Sequence, residues 1–210
     1  EFRTPLNGVL GMARLLGGTS LSDEQRTYVN ALRDSGEHLL GLVNDLLDFA
    51  KLGATKVELR PAQLGVEDLL QGVCELLAPR AQEKGLEIAW AAPAGIGKVT
   101  ADEGRLRQIL LNFAGNAIKF TKTGGVLLSV AEMGGGRLRF TVSDTGPGVP
   151  AEERERIFEA FAQSDPEHDG VQLGGAGLGL AIARTLALVM NGEVGVDDAP
   201  GGGAAFWVEA

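Results

Sequence analysis

Apolar residues in the opening stretch, Leu6, Val9, Leu10 and Ala13, fall three, one and three positions apart, on one face of an amphipathic helix. A small-residue break follows at Gly17-Gly18-Thr19-Ser20. Ser22, with Gln25 three residues on, then forms a capping box that starts a second helix near Asp23. Along that helix Tyr28, Leu32, Ser35, Leu39, Leu42, Leu46 and Phe49 alternate steps of four and three, a heptad seam. A second stripe, Val29, Gly36, Leu40, Val43, Leu47 and Ala50, runs beside it. One seam suits a two-stranded coil, whereas two adjacent seams bury the wider face of a four-helix bundle. One hairpin supplies two helices of the four. A second copy of the chain supplies the others most simply, which predicts a homodimer.

The periodicity breaks at "KLGATKVELRPAQLG". The pattern therefore predicts a helical domain over 1–52 and a second domain over 53–210, with a short strand around Val57 to Leu59. Beyond it the elements mix. Helices are predicted over 66–83, kinked at Pro79, and over 103–120, with a strand over 86–91 between them. "GVLLSVAEM" and "RLRFTVSD" read as strands joined by glycines into a hairpin. A short helix over 151–159, a long loop over 162–177, a helix over 178–190 and two strands, 193–197 and 204–209, complete the chain. Helices segregated from a largely antiparallel sheet make an α/β two-layer sandwich, so the fold class is α+β with an N-terminal helical hairpin.

Composition narrows the function. Apolar residues make up 44% of 210, enough for a core, and no apolar run reaches the length of a membrane span. No basic stretch precedes an apolar one at the start, as a leader would show. The net charge of −9 argues against a nucleic-acid partner, which needs a basic face. A single cysteine, Cys74, sits within a helical apolar pattern and reads as a buried thiol. The two histidines, His38 and His168, lie far from Cys74 and from each other, which leaves no zinc site and no nucleophile triad. The 31 glycines, about twice the usual share, cluster after residue 123 between apolar runs and mark special loops.

Three stretches carry candidate chemistry. On the predicted helix 103–120, Arg105, Gln108, Asn112, Asn116 and Lys119 follow steps of three, four, four and three and share one polar face. A solvated face ordinarily uses Glu and Lys, whereas two Asn one turn apart weaken a helix. An amide oxygen suits Mg²⁺ and a lysine suits phosphate. "SDTGPGVP" ends a strand at Asp144 and reads as a surface turn or as a placed carboxylate. An aspartic protease also carries Asp-Thr-Gly, but needs a second carboxylate to share its proton, and it would leave the Asn stripe and the later glycines unexplained. "GGAGLGLAIARTLALVM" runs glycines directly into a helix, where free N–H groups make an anion site. It has neither a P-loop Gly-Lys-Ser/Thr nor a full Rossmann fingerprint. Phe158 and Phe161 in "IFEAFAQ" read as core packing.

Taken in order, Arg-Thr-Pro-Leu-Asn, Asn-x-x-x-Asn-x-x-Lys, Asp-Thr-Gly-x-Gly, Phe-x-x-Phe and Gly-x-Gly-Leu-Gly resemble the catalytic core of sensor histidine kinases, especially the hybrid type. The resemblance covers nearly the whole chain. It implies a Bergerat-type ATP-binding fold over 53–210 and a phosphoacceptor hairpin that dimerises as a four-helix bundle. ATP and Mg²⁺ are the implied ligands: Asn116 binds the metal, Asn112 and Lys119 lie near the phosphates, and Asp144 accepts from the adenine amino group. Gly146 and Gly148 shape the base pocket. The segment 162–177 is the implied lid, its base anchored by Phe158 and Phe161, with Gly175, Gly177, Leu178 and Gly179 at the phosphates. "PGGGAAFWV" resembles the last glycine-rich motif of the family.

Related gyrase-like and chaperone-like ATPases carry a Glu general base where this chain has Asn112. An amide cannot take a proton from water, so transfer to a protein group is favoured over hydrolysis. The phosphoacceptor His of the family directly precedes Glu-x-Arg-Thr-Pro and so falls just ahead of Glu1. Glu1 and Thr4 are the implied catalytic residues of the hairpin, assisting proton transfer from the imidazole and orienting water for the reverse phosphatase reaction. The 210 residues by themselves are expected to bind ATP without autophosphorylating. Two positions depart from the family pattern: Ala176 stands where Thr or Ser is usual, and the lid lacks Arg and Lys. These departures leave an alternative, an inactive scaffold that docks a receiver domain. The main expectation is a cytoplasmic bacterial protein-histidine kinase passing phosphate to the Asp of a response-regulator receiver domain, with no membrane contact within this chain.

Overall fold

The computed structural model describes residues 3–54, 58–162 and 177–210. The chain divides into two compact units, one built on the N-terminal hairpin and one on the mixed region that follows.

In the first unit, helix α1 (Arg3–Gly17) packs antiparallel to the long helix α2 (Asp23–Ala54). The predicted capping box forms in both directions. Ser22 N–H donates to Gln25 Oε1 at 3.0 Å, and Gln25 N–H donates to Ser22 Oγ at 3.2 Å. Leu10 and Ala13 are the buried residues of α1. Gly36 lets α2 approach, since a Cβ there would lie 2.8 Å from the Leu10 side chain. Val9, Met12, Leu16, Tyr28, Leu32, Leu39 and Leu46 stay exposed in the single chain.

The second unit is a five-stranded sheet in the order β2-β4-β5-β7-β6 with helices α3, α4 and α5 against it, α4 in the middle. Its elements are β1 (Ala62–Gly65), α3 (Val66–Glu83), β2 (Glu87–Ala91), β3 (Lys98–Ala101), α4 (Glu103–Phe120), β4 (Gly125–Met133), β5 (Arg137–Asp144), α5 (Gly179–Val189), β6 (Glu193–Asp198) and β7 (Ala204–Glu209). β2 pairs parallel with β4, and every other pairing is antiparallel. Leu69, Leu106, Ile109, Leu110, Phe113, Leu128, Phe140 and Leu186 are fully buried between helices and sheet. Phe113 of α4 meets Phe206 of β7 with ring centroids 5.6 Å apart. Cys74 is buried in α3, and burial pushes its thiol up to about 11.

Several short elements depart from the expectation. The strand expected at Val57 to Leu59 does not form at Glu58 and Leu59, and Val57 lies outside the described residues. β1 lies instead at Ala62–Gly65, fixed by pairing with β3, a strand the pattern did not reveal. The expected helix 151–159 resolves into two separate 3₁₀ turns, Ala151–Glu153 and Arg156–Phe158. α3 runs unbroken through Pro79, which falls near its C-terminal end. Phe161 is not core. It is 61% exposed with φ +65°, while Phe158 is buried and packs edge-on to Phe206 at 6.3 Å.

Candidate active site

The period of β5 explains why an acid enters the core layer. Leu138, Phe140, Val142 and Asp144 alternate onto the buried face, so the carboxylate continues an apolar row. Asp144 Oδ1 accepts from Gly146 N–H at 2.8 Å and from Ala204 N–H at 3.2 Å. Burial raises the Asp144 pKa, and the two backbone donors pull it partly back. Oδ2 accepts no hydrogen bond from the described residues. No carboxylate of the described residues is among the causes of that shift.

Glycines hold the backbone close around this acid. A Cβ on Gly146 would lie 2.9 Å from Asp144 Oδ1. Gly148 has φ +79°, and a Cβ there would lie 3.3 Å from the Gly203 carbonyl. Gly203, with φ +93°, presses on the Asp144 backbone and presents Ala204 N–H to the carboxylate. Neither Gly203 nor Ala204 was among the expected site residues; the run "PGGG" was the signal for them. Thr145 ties the neighbouring turns together, accepting from Gly125 N–H at 3.1 Å and donating to Thr123 O at 2.8 Å.

α4 supplies the polar stripe. Asp102 caps its start by accepting from Arg105 N–H at 3.1 Å. Asn112 Nδ2 donates to the Gly179 carbonyl at 2.9 Å, which pins the first residue of α5 against the middle of α4. Asn116, one turn on, is half-buried and its amide has no partner among the described residues. Lys119 is half-buried, with its ammonium 4.7 Å from the Phe120 ring centroid. Its pKa is lowered first by burial and then by the nearby Arg80 and Lys84 cations. Lys84 Nζ donates to the carbonyls of Ile118 and Lys119 at 2.9 and 2.7 Å, capping the C-terminal end of α4.

α5 begins without a side-chain cap, so its first N–H groups are available to an anion. Leu178 is buried at that start. Gly177, with φ +65°, leaves no room for a side chain, since a Cβ would lie 2.5 Å from the Ala162 carbonyl. Phe161 N–H donates to the Gly177 carbonyl at 3.1 Å. Gly175 and the expected lid 163–176 lie outside the described residues, as does His168. In the hairpin, Thr4 is exposed on the first turn of α1, and Glu1 lies outside the described residues.

The donor set fits a magnesium nucleotide. Its parts are a carboxylate with one free oxygen, an unpartnered amide oxygen, a lysine and an uncapped helix N-terminus. No cluster of three or more His, Cys, Asp or Glu side chains suited to a metal exists among the described residues. A metal here would therefore depend on the Asn116 amide and on the ligand's own phosphates.

The family model described as histidine kinase-, DNA gyrase B- and HSP90-like ATPase matches residues 101–210, and the His kinase A (phospho-acceptor) domain matches residues 1–55. The sensor histidine kinase AruS of Pseudomonas aeruginosa is 42% identical over 100% of this chain and 21% of its own length. The signal transduction histidine-protein kinase BarA of Escherichia coli is 37% identical over 99% of this chain and 23% of its own. The chain thus spans less than a quarter of either relative. The crystal structure of full-length ShkA in complex with AMPPNP matches at 61% identity and TM-score 0.82, over 100% of this chain and 43% of that one. The histidine kinase ThkA, solved in complex with the response regulator protein TrrA, shares the fold at 22% identity and TM-score 0.70, over 99% of this chain and 57% of that one.

Proposed function

This chain belongs to the histidine kinase family, and from that premise we propose that it binds ATP with Mg²⁺ and drives phosphoryl transfer to a histidine, and from there to a response-regulator aspartate. The observation that carries the reading is the hydrogen bond that ties Asn112 of α4 to the uncapped start of α5, in the same unit as the buried Asp144 carboxylate held by glycine-rich backbone.

Each residue has a role that its surroundings support. Asp144 Oδ2 accepts from the adenine amino group, while Gly146 and Gly148 keep the backbone out of the base's way. Asn116 offers an amide oxygen to Mg²⁺, which when bound neutralises charge on the β- and γ-phosphates. Lys119 and the α5 N–H groups at Gly179 and beyond draw the phosphate oxygens. Asn112 holds α5 in place and cannot act as a base toward water, which disfavours hydrolysis. Phe158 and Phe161 support the base of the 163–176 segment, in which Gly175 is a further phosphate contact, beside Gly177 and Leu178.

In the transfer, an imidazole nitrogen forms a bond to the γ-phosphorus and the bond to the β,γ-bridging oxygen breaks, releasing ADP. The imidazole proton leaves toward Glu1. The acceptor histidine of this family precedes the Glu-x-Arg-Thr-Pro motif, ahead of Glu1. Thr4 orients water when the reaction runs as dephosphorylation of a partner.

The exposed leucines and Tyr28 of the hairpin are the face through which two copies pair into a four-helix bundle. A receiver domain is the partner of that bundle. No described helix is long and apolar enough to cross a membrane. Calorimetry of ATP with and without Mg²⁺ tests the reading. Binding that strengthens with Mg²⁺ and is lost in Asp144→Asn supports it, and no binding at millimolar ATP overturns it.

A further inference from the structure

The hydroxyl of Thr121 is buried and has no hydrogen-bond partner among the described residues. The residue is only 2% exposed. Thr121 closes α4, its own N–H donating to the Ala117 carbonyl at 3.0 Å, and its backbone has turned to an extended conformation. That turn carries the side chain toward Gly146. A Cβ placed on Gly146 would lie 3.2 Å from Thr121 Oγ1 and 2.9 Å from Asp144 Oδ1, so both oxygens approach the same face of one glycine. A buried hydroxyl almost always finds a partner in a folded protein, and an orphan one calls for an explanation. The bond that closes α4 is made by the Thr121 backbone N–H, so the hydroxyl is not spent on capping the helix.

We propose that Thr121 is a second base-reading residue, its hydroxyl donating to the N1 ring nitrogen of adenine, directly or through one water, beside the amino group read by Asp144. The chemistry of the two groups is complementary to one edge of one base. Adenine presents an N–H donor at its amino group and an acceptor at N1. Asp144 is acceptor-only when ionised, and a hydroxyl supplies the donor. A 6-oxo purine reverses both positions, placing an acceptor against the carboxylate and an N–H at N1. Thr121 is thus a specificity-determining residue, and the inference rests on the nucleotide-binding reading above.

The test is a titration of the full 210-residue chain and two variants with Mg-ATP and with Mg-1-deaza-ATP, which keeps the amino group and lacks N1. Thr121→Val replaces the hydroxyl with a methyl of the same shape, and Thr121→Ser keeps it. Thr121→Val is expected to weaken ATP binding about tenfold and 1-deaza-ATP binding little, with Thr121→Ser close to the parent. The apo melting temperature of Thr121→Val is expected to stay level or rise, because an orphan polar group has been removed. Equal weakening of both nucleotides, or unchanged ATP affinity, overturns the role of Thr121 while leaving nucleotide binding intact. Failure of the parent chain to bind ATP overturns the nucleotide reading itself and this inference with it.

Discussion

The backbone N–H of Phe161 donates to the backbone carbonyl of Gly177 at 3.1 Å, across the ends of the segment between them. Both residues have positive φ, +65° in each case, and Phe161 bears its ring outward. The joint depends on Gly177 because a side chain there would strike the Ala162 carbonyl. Gly177→Ala is expected to cost about 1–3 kcal/mol at this joint and to weaken ATP binding by about tenfold. Parallel ATP titrations and melting curves check this, and unchanged ATP affinity would show that the joint does not hold the phosphate loop.

Asp144 ties pH to both stability and binding. Its folded pKa is raised above the ordinary 3.8, chiefly by burial. A raised pKa means that the native state holds the proton more tightly than the unfolded chain. The group's favourable contribution is therefore complete below the unfolded value and is lost as pH rises through the folded one. Asp144→Asn is expected to match or exceed the parent in apo stability at pH 7, with the difference shrinking on acidification. ATP affinity should fall at least tenfold in the same variant. Urea melts at several pH values, with ATP titrations alongside, separate the two effects.

Asn112 and Asn116 differ in what they already do. Asn112 spends its amide N–H on Gly179, whereas Asn116 has no partner among the described residues. Asn112→Ala should lower stability by about 1 kcal/mol and weaken ATP binding with or without Mg²⁺. Asn116→Ala should leave the melting curve in place and remove only the Mg²⁺-dependent part of the affinity. If both variants lose the same part, the assignment of metal binding to Asn116 fails.

Lys84 caps α4 from a neighbouring helix through two carbonyls. Lys84→Met removes charged hydrogen bonds at a helix C-terminus and should destabilise the domain by about 1–3 kcal/mol. Denaturant unfolding measures this directly, and a change within error would mean that solvent replaces the ammonium without loss.

Leu32 and Leu39 are half-exposed on the hairpin seam. Leu32→Asp would bury a charge between copies and should convert a dimer to monomer in sedimentation, with ATP affinity unchanged. A monomeric parent chain would refute the seam as a dimer interface for these residues.

What could be read in advance follows the reach of the interactions involved. α3 and α4 were legible to the residue because their limits are local, a run of apolar positions at helical spacing and, for α4, the Asp102 cap. The capping box at Ser22 and Gln25 was legible for the same reason. β1 and β3, four residues each, were not, because only their mutual pairing across more than thirty positions makes them strands. In the site, Asp144, Asn112 and the α5 glycines carried recognisable motifs. Ala204 contributes only a backbone N–H, so its own side chain carried no signal and only the glycine run before it pointed there. Thr121 was hidden because its meaning lies in having no partner among the described residues. Phe161 misled because spacing alone does not disclose a left-handed backbone.

The cradle of Asp144 has one near half and one far half. Gly146 is two residues away, whereas Ala204 is sixty residues away and arrives with β7. During synthesis the β4–β5 hairpin can close early from local contacts, but the second donor exists only after β7 has emerged and docked. A nascent chain that stops short of β7 therefore holds the acid with half of its support. Nucleotide competence is therefore expected only once β7 has docked.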